Sequence, residues 1–518
     1  MRHTCRALLR ARRRRMLKPG NMACVRHTKA QHAEPDRYPM PTQYLLTLIG
    51  VSIAVLELLA IIAAVHALMN SRTSQGSIAW AISLIAFPII SLPLYAVFGR
   101  GKFRGYVDAR RAGELEIQHI AAQLADRYAA PLRAGFSPHE ASYATFERLA
   151  KMPFTRCNQA RLLVDGEATF AAIFAGVRAA TRYVLVQFFI IRDDALGAGL
   201  ATLLEQKARA GVPVYLLYDE IGSHKLSHAY LDRLAEAGIH VSAFRTTQGR
   251  ANPLQINFRN HRKVVVVDGH SAYIGGHNVG EEYVGRHPRL TPWRDTHLHI
   301  QGPAAMATQL AFVEDWYWAT RQVPELDWVP NTVCTPGQRV LILPTGPADV
   351  LDTCVLFFVQ AINTAQQRIW ITSPYFVPDE MVVAALQLAA LRGVDVRIML
   401  PEHPDHRLVY LAGLAFVQET VSAGVQLFRY QSGFLHQKVL LVDNDLAAVG
   451  TANLDNRSFR LNFEFTALIA DHAFAAQVAD MLSSDFAHCR RVAADELEVR
   501  PLAVRVAARA ARLLAPVL

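Results

Sequence analysis

Two short segments constrain this chain more than any other feature. "HRKVVVVDG" opens at His261 and "HQKVLLVDN" opens at His436, 175 positions later. Each reads histidine, one residue, lysine, four apolar residues, aspartate. A second pair, "RAGVPV" from Arg209 and "LRGVDV" from Leu391, repeats at an offset of 182. Near-constant offsets over such a span mark an internal duplication. Each copy also carries the same alternation. "RYVLVQFFII", "GLATLLEQKARAG" and "VPVYLLYDE" read as strand, amphipathic helix and strand in the first copy. "QRIWITSPYFV", "EMVVAALQLAALRG" and "VDVRIMLPE" read the same way in the second. The fold class predicted is therefore α/β, with two similar domains at 155–335 and 336–490 and a joint near "CTPGQRV".

A lone His-x-Lys at the head of a strand is usually a solvated surface feature. The residues downstream of each copy change that reading. Fifteen residues beyond each lysine stands an asparagine, Asn278 in "GGHN" and Asn453 in "GTAN". Further on come Asp295 in "WRDTH" and Glu464 in "LNFEF". Each half thus supplies His, Lys, Asn and a later carboxylate in one order. In a strand, residues i and i+2 share a face, so His261 and Lys263 are expected together, as are His436 and Lys438. Asp268 and Asp443 fall on the other parity, at a turn. Two lysines and two asparagines suit the non-bridging oxygens of a phosphodiester. One neutral imidazole can attack phosphorus while a protonated one serves the leaving alkoxide. A carboxylate beside each imidazole would fix its tautomer. Asp295 is expected beside His261 and Glu464 beside His436. No metal or other cofactor is needed, and no zinc-ligand spacing occurs. His277, His297 and His299 read as structural extras.

The front of the chain is apolar. Tyr44–Met69 and residues 77–98 each exceed the roughly 20 apolar residues that cross a bilayer core. The connector "NSRTSQG" is short, so a transmembrane hairpin is expected. Lys and Arg lie before the first span and after the second, at Arg100, Lys102, Arg104, Arg110 and Arg111. That pattern places both ends on the cytoplasmic side. Glu57, in mid-span, is expected to face a partner helix or a polar cavity. The formal net charge is +10, yet residues 1–40 alone hold eleven Lys/Arg against Glu34 and Asp36. The body is near neutral, which argues against a nucleic-acid partner. The leader suits anionic lipid instead. The six cysteines form no C-x-x-C pair and read as reduced.

These blocks resemble the phospholipase D superfamily, whose signature is a doubled H-x-K-x4-D, and more narrowly its bacterial cardiolipin synthases. "LYDEIGS", "FRNHRK", "VGEEYVG", "WRDTHLHIQGP", "ITSPYFVPDE" and "NLDNRSFRLNFE" look like that family's segments. The resemblance implies two phospholipase D-like domains related by a pseudo-twofold, sharing one site. It implies a catalytic set of His261, Lys263, Asp268, His436, Lys438 and Asp443, substrate binding by Asn278 and Asn453, and histidine orientation by Asp295 and Glu464. It implies phosphatidyl transfer between two phosphatidylglycerol molecules through a phosphohistidine, with His261 as nucleophile. It places the enzyme in a bacterial inner membrane, in contact with anionic lipid. The expected organisation is a basic leader (1–41), two spans (42–99), a linker region (100–154), the two domains and a tail (491–518). Another phospholipase or transphosphatidylase, a nuclease and a non-catalytic lipid-binding protein are the competing readings. The tail suits either an interfacial helix or a helix docked on the body.

Overall fold

The computed structural model describes residues 42–71, 74–99, 106, 119–124, 126, 132–245, 257–332 and 337–518. The basic leader and the basic stretch after residue 99 lie outside the described residues, apart from Tyr106. So do the first three residues of the proposed joint, 334–336. By internal contacts the chain divides into two units, Met1–Leu58 and Leu59–Leu518.

The first apolar stretch forms one 29-residue helix, Thr42–Asn70, long and apolar enough to cross a membrane. Glu57 lies on its exposed surface. The second stretch departs from expectation. It forms two helices, Ser74–Ala86 and Pro88–Phe98, of 13 and 11 residues. Pro88 has no N–H to continue the first helix and sits at the start of the second, where that loss is harmless. A continuous second helix is thus replaced by two shorter ones. Within this region His66 Nδ1 meets the Tyr95 hydroxyl at 2.7 Å, and Trp80 packs edge-on against Tyr95.

The rest is built on a 16-stranded sheet. Its centre is an antiparallel pairing of Thr155–Val164 with Gln338–Thr345, one strand from each half. Outward from Thr155–Val164 the order is Thr296–Gln301, Ser271–Gly275, Val264–Val267, Val184–Phe188, Val214–Asp219 and His240–Phe244. Outward from Gln338–Thr345 it is Asn462–Ala470, Leu446–Gly450, Val439–Val442, Arg368–Thr372, Asp395–Pro401 and Gln426–Tyr430. The two halves therefore repeat one strand order. The strands Val264–Val267 and Val439–Val442 are buried throughout, which explains their unbroken apolar runs. Each half has an outer apolar core of its own, and a third core draws on both, with Val264, Val266 and Leu298 beside Val439, Leu441 and Phe463.

Cys157 departs from the reduced-thiol reading, because it is disulfide-bonded. Cysteine counts and spacings along a chain do not report which thiols folding brings together.

Candidate active site

The His-x-Lys tripeptides are not strand heads. Each lies between two strands that pair with different partners. Arg259–Asn260 runs parallel to Asn462–Phe463 of the other half, and the His261 N–H then donates to the Phe463 carbonyl at 2.9 Å. Phe434–Leu435 runs parallel to Trp293–Arg294, and the His436 N–H donates to the Arg294 carbonyl at 2.8 Å. After each lysine the chain enters its own half's sheet. The motif is the point where the chain changes sheet partner, and both lysines are buried there.

This exchange brings each histidine to the other half's carboxylate. His261 Nδ1 lies 2.9 and 3.1 Å from the Glu464 oxygens. His436 Nδ1 lies 2.7 Å from Asp295 Oδ2. The expected pairing within halves is therefore reversed. Sequence order could not show this, because Glu464 lies on, and Asp295 directly after, a strand that folding sets beside the opposite motif. With Nδ1 held, Nε2 of each ring is the nitrogen left for chemistry.

The shells around the carboxylates differ. Glu464 also accepts from the Thr451 hydroxyl at 2.5 Å and Asn462 Nδ2 at 3.1 Å. Asp295 accepts the Thr296 N–H at 2.8 Å. Gly276 holds the place that Thr451 fills in the second half, and a Cβ there would collide with Asp295 Oδ1. Gly276→Ala is therefore expected to push Asp295 off His436 and lower kcat by about 10²-fold, as a misplaced positioning group does. Steady-state kinetics on folded protein checks it. A near-normal kcat would show that the carboxylate position is not critical.

Burial first, and Lys263 and Lys438 after it, hold the His261 pKa down at about 4 against the opposing pull of Glu464. His436 is lowered too, by burial and then Lys438, with Asp295 opposing. Burial brings Lys263 down to about 7, with Lys438 adding to the fall and Glu464 opposing it. Burial likewise brings Lys438 down to about 8, against the pull of Asp295 and Glu464. Burial raises both carboxyls, yet the facing cations leave Asp295 and Glu464 below their usual range. The two motifs thus lie within one another's field. Lys263 Nζ donates to the His261 carbonyl at 2.6 Å and lies 5.3 Å from the Phe189 ring centroid. Lys438 donates to the His436 carbonyl. Aromatic walls complete the site, with Phe189 at 5.0 Å from the His261 ring and Trp293 at 5.0 Å from the His436 ring.

Asn278 spends its carbonyl on the Ile190 N–H and its amide on the Tyr283 hydroxyl, both at 3.1 Å. Asn453 donates to Asp455 at 3.3 Å, while its side-chain oxygen is buried without a partner. Asp268 and Asp443 do not face the imidazoles and are corrected from the catalytic set. Asp268 accepts the N–H groups of Thr181, Arg182 and Tyr183 at 2.8–2.9 Å. Asp443 accepts those of Gln366, Gln367 and Arg368. Both have left-handed backbone (φ 54 and 50), as the turn reading requires. Asp268→Ala should therefore cost about 2 kcal/mol of stability by orphaning buried donors, and leave the chemical step intact. Thermal melting together with kcat would separate these effects. A large kcat loss with no change in melting would return Asp268 to the catalytic set.

Sequence reasoning missed the middle residue of each motif. Arg262 binds Asp315 at 2.8 Å, and Asp315 also accepts from Asn260, Gln187 and Tyr106. Gln437 donates to Asp485 at 2.8 Å, and Arg294 forks onto both oxygens of the same carboxylate. The signal was present: the intervening residue is polar in both copies. Among the described residues no cluster of His, Cys, Asp and Glu is arranged to hold a metal ion.

Residues 173–288 and 358–486 match the family described as cardiolipin synthase, phospholipase D-like domain, and residues 58–100 match a phospholipase D-nuclease N-terminal family. Cardiolipin synthase A of Pseudomonas fluorescens is 51% identical over 471 residues, covering 90% of this chain and 98% of that protein. Cardiolipin synthase A of Pseudomonas putida is also 51% identical over 471 residues, with the same coverage. The crystal structure of a phosphatidylserine synthase from Haemophilus influenzae shares the fold, with a TM-score of 0.56 at 15% identity over 73% of this chain and all of that one. The chain belongs to the phospholipase D-like cardiolipin synthase family.

Proposed function

We propose that this phosphatidyltransferase makes cardiolipin and glycerol from two phosphatidylglycerol molecules, through a covalent histidine intermediate. The observation that carries the reading is the crossed pairing of His261 with Glu464 and His436 with Asp295. It supports the reading of one site shared by two halves related by a pseudo-twofold. His261 Nε2 attacks phosphorus, and the bond to the terminal glycerol oxygen breaks. His436 gives that oxygen its proton, and glycerol leaves. The neutral His436 then takes the proton from the free glycerol hydroxyl of a second phosphatidylglycerol. That oxygen attacks the phosphatidyl-histidine, releasing His261 and forming cardiolipin. Lys263 and Lys438 neutralise the non-bridging oxygens through both steps, aided by Asn278 and Asn453.

Incubating the detergent-solubilised protein with phosphatidylglycerol alone tests this reading. Cardiolipin and glycerol in equal amounts are expected. Phosphatidic acid as the main product would indicate a hydrolase, and cleavage of added DNA a nuclease.

The pH profile derives from the same groups. As pH falls through about 4, His261 gains a proton and ceases to be a nucleophile. As pH rises, His436, its pKa lowered by burial and Lys438, loses the proton that the leaving oxygen needs, and through about 7 to 8 the lysines lose the charge that holds the diester. Plotted against pH, kcat/KM should form a bell between those limbs. A bound diester anion favours every protonated form, so the limbs of kcat should lie higher. Coincident limbs for kcat and kcat/KM would contradict this assignment.

The helix Thr42–Asn70 supports membrane anchoring. A second, broken pass through Ser74–Ala86 and Pro88–Phe98, with both ends in the cytoplasm of a bacterial inner membrane, is part of the same proposal. Its support is the Lys/Arg excess around residues 1–40 and 100–111.

A further inference from the structure

The helix Leu502–Arg512 docks on the body with its small side chains and turns its larger apolar ones outward. Ala508, Ala511 and Ala515 are buried, and Ala508 packs in a cluster with Leu414 of the helix Arg407–Val421. Val499, Leu502, Val506 and Leu513 are 71%, 71%, 59% and 81% exposed. Leu502, Val506 and Leu513, at spacings of four and seven, form one stripe with Arg509 in it, and Val499 lies in the turn that precedes the helix. A helix whose only task was to cover the body would bury those residues and expose the alanines.

Charge names what the stripe meets. From Val499 to Leu518 the chain holds Arg500, Arg505, Arg509 and Arg512 and no acidic side chain. Arg512 is committed to Glu419 at 2.9 Å. Among the described residues, Arg505 and Arg509 have no carboxylate within ion-pair distance. Leucine and valine flanked by unpaired arginine is the composition of a surface that sinks into a headgroup layer bearing negative charge. The helix is also tied to the site. Arg457 donates its N–H to the Leu518 carbonyl at 2.9 Å and its guanidinium to Val517 at 3.1 Å. The same guanidinium donates to the Asn257 carbonyl at 2.7 Å, four residues before His261. Arg457 itself stands four positions beyond Asn453.

We propose that Leu502–Arg512 is an interfacial helix that lies in an anionic phospholipid surface and seats the catalytic unit on the layer holding its substrate. This rests on the lipid-substrate reading above. The full chain carrying Val506→Cys or Leu513→Cys, labelled with an environment-sensitive fluorophore, would be placed in nanodiscs of phosphatidylglycerol and phosphatidylcholine. The signal of identically treated parent chain is subtracted. Quenching by doxyl-labelled lipid and protection from iodide are expected, both weaker in phosphatidylcholine alone. A fluorophore open to iodide and untouched by doxyl lipid overturns the proposal. So does crosslinking of Val506→Cys between copies without doxyl quenching, which would assign the stripe to a second copy of the chain.

Activity gives an independent measure. The L502E/V506E/L513E chain should turn over phosphatidylglycerol in vesicles about tenfold more slowly than the parent, yet match it in mixed detergent micelles. Equal rates in vesicles overturn the proposal, as do equal losses in both settings. A parent chain inactive in micelles would instead count against the substrate reading and leave the depth measurement standing.

Discussion

Replacing His261 with alanine is expected to abolish covalent labelling of the protein by phosphatidylglycerol carrying radiolabel in its phosphatidyl group. The labelled protein would be denatured at alkaline pH, where a phosphohistidine survives, and mapped by peptide. Loss of turnover should be near complete, on the order of 10⁴-fold or more, because no other side chain can take over the nucleophile's part. His261 sits in the more tightly held of the two carboxylate shells, with Thr451 and Asn462 fixing Glu464 behind it. Its imidazole is neutral over most of the working range, since burial and two lysines oppose its protonation. Replacing His436 with alanine should have a different signature. A phosphatidyl ester of p-nitrophenol needs no proton on its leaving group, so His261 should still be labelled and the adduct should accumulate. Label on the peptide containing His436 would exchange the two roles and leave the two-step scheme standing.

The second large effect concerns the carboxylates. Glu464→Gln should suppress the burst of p-nitrophenol, because it disorders the attacking imidazole. Asp295→Asn should keep that burst and slow the second transfer, because it disorders the acid and base. Each change is expected to cost about 10³-fold or more in turnover of phosphatidylglycerol, as loss of an imidazole's orienting partner does elsewhere. The difference lies in which step is lost. Pairing within halves would give the opposite pattern, with the burst lost in Asp295→Asn. Stopped-flow measurement of the burst amplitude decides between them.

The repeat, its strand-helix-strand alternation and the two His, Lys, Asn and carboxylate sets were legible because they recur in one order along the chain. The reach of His261 to Glu464 was not. It depends on which strand lies beside which after folding, and both parallel pairings that create it join residues more than 130 positions apart. Strand parity places Asp268 and Asp443 at turns, where they cap backbone N–H groups, whereas the motif's recurrence argues for catalysis at those positions. A recurring residue is as readily kept for a tight turn as for a reaction. The same parity argument takes His-x-Lys for the head of a strand, because a pattern of apolar residues does not reveal where a chain changes sheet partner. Pro88 was visible throughout, and its effect on the second apolar stretch comes from its missing N–H.

The crossed carboxylates also have a genetic meaning. Each half carries the counter-charge for the other half's histidine, so neither repeat can be inherited as a working enzyme. A lesion at Asp295 and a lesion at His436 strike the same imidazole from opposite halves of the chain, and should fall into one functional class. A lesion at Glu464 belongs with His261. Two crippled alleles, one damaged in each half, could restore activity only by trading halves between chains. Expressing the repeats as separate polypeptides would ask the same of them: activity should return only when the two pieces find each other.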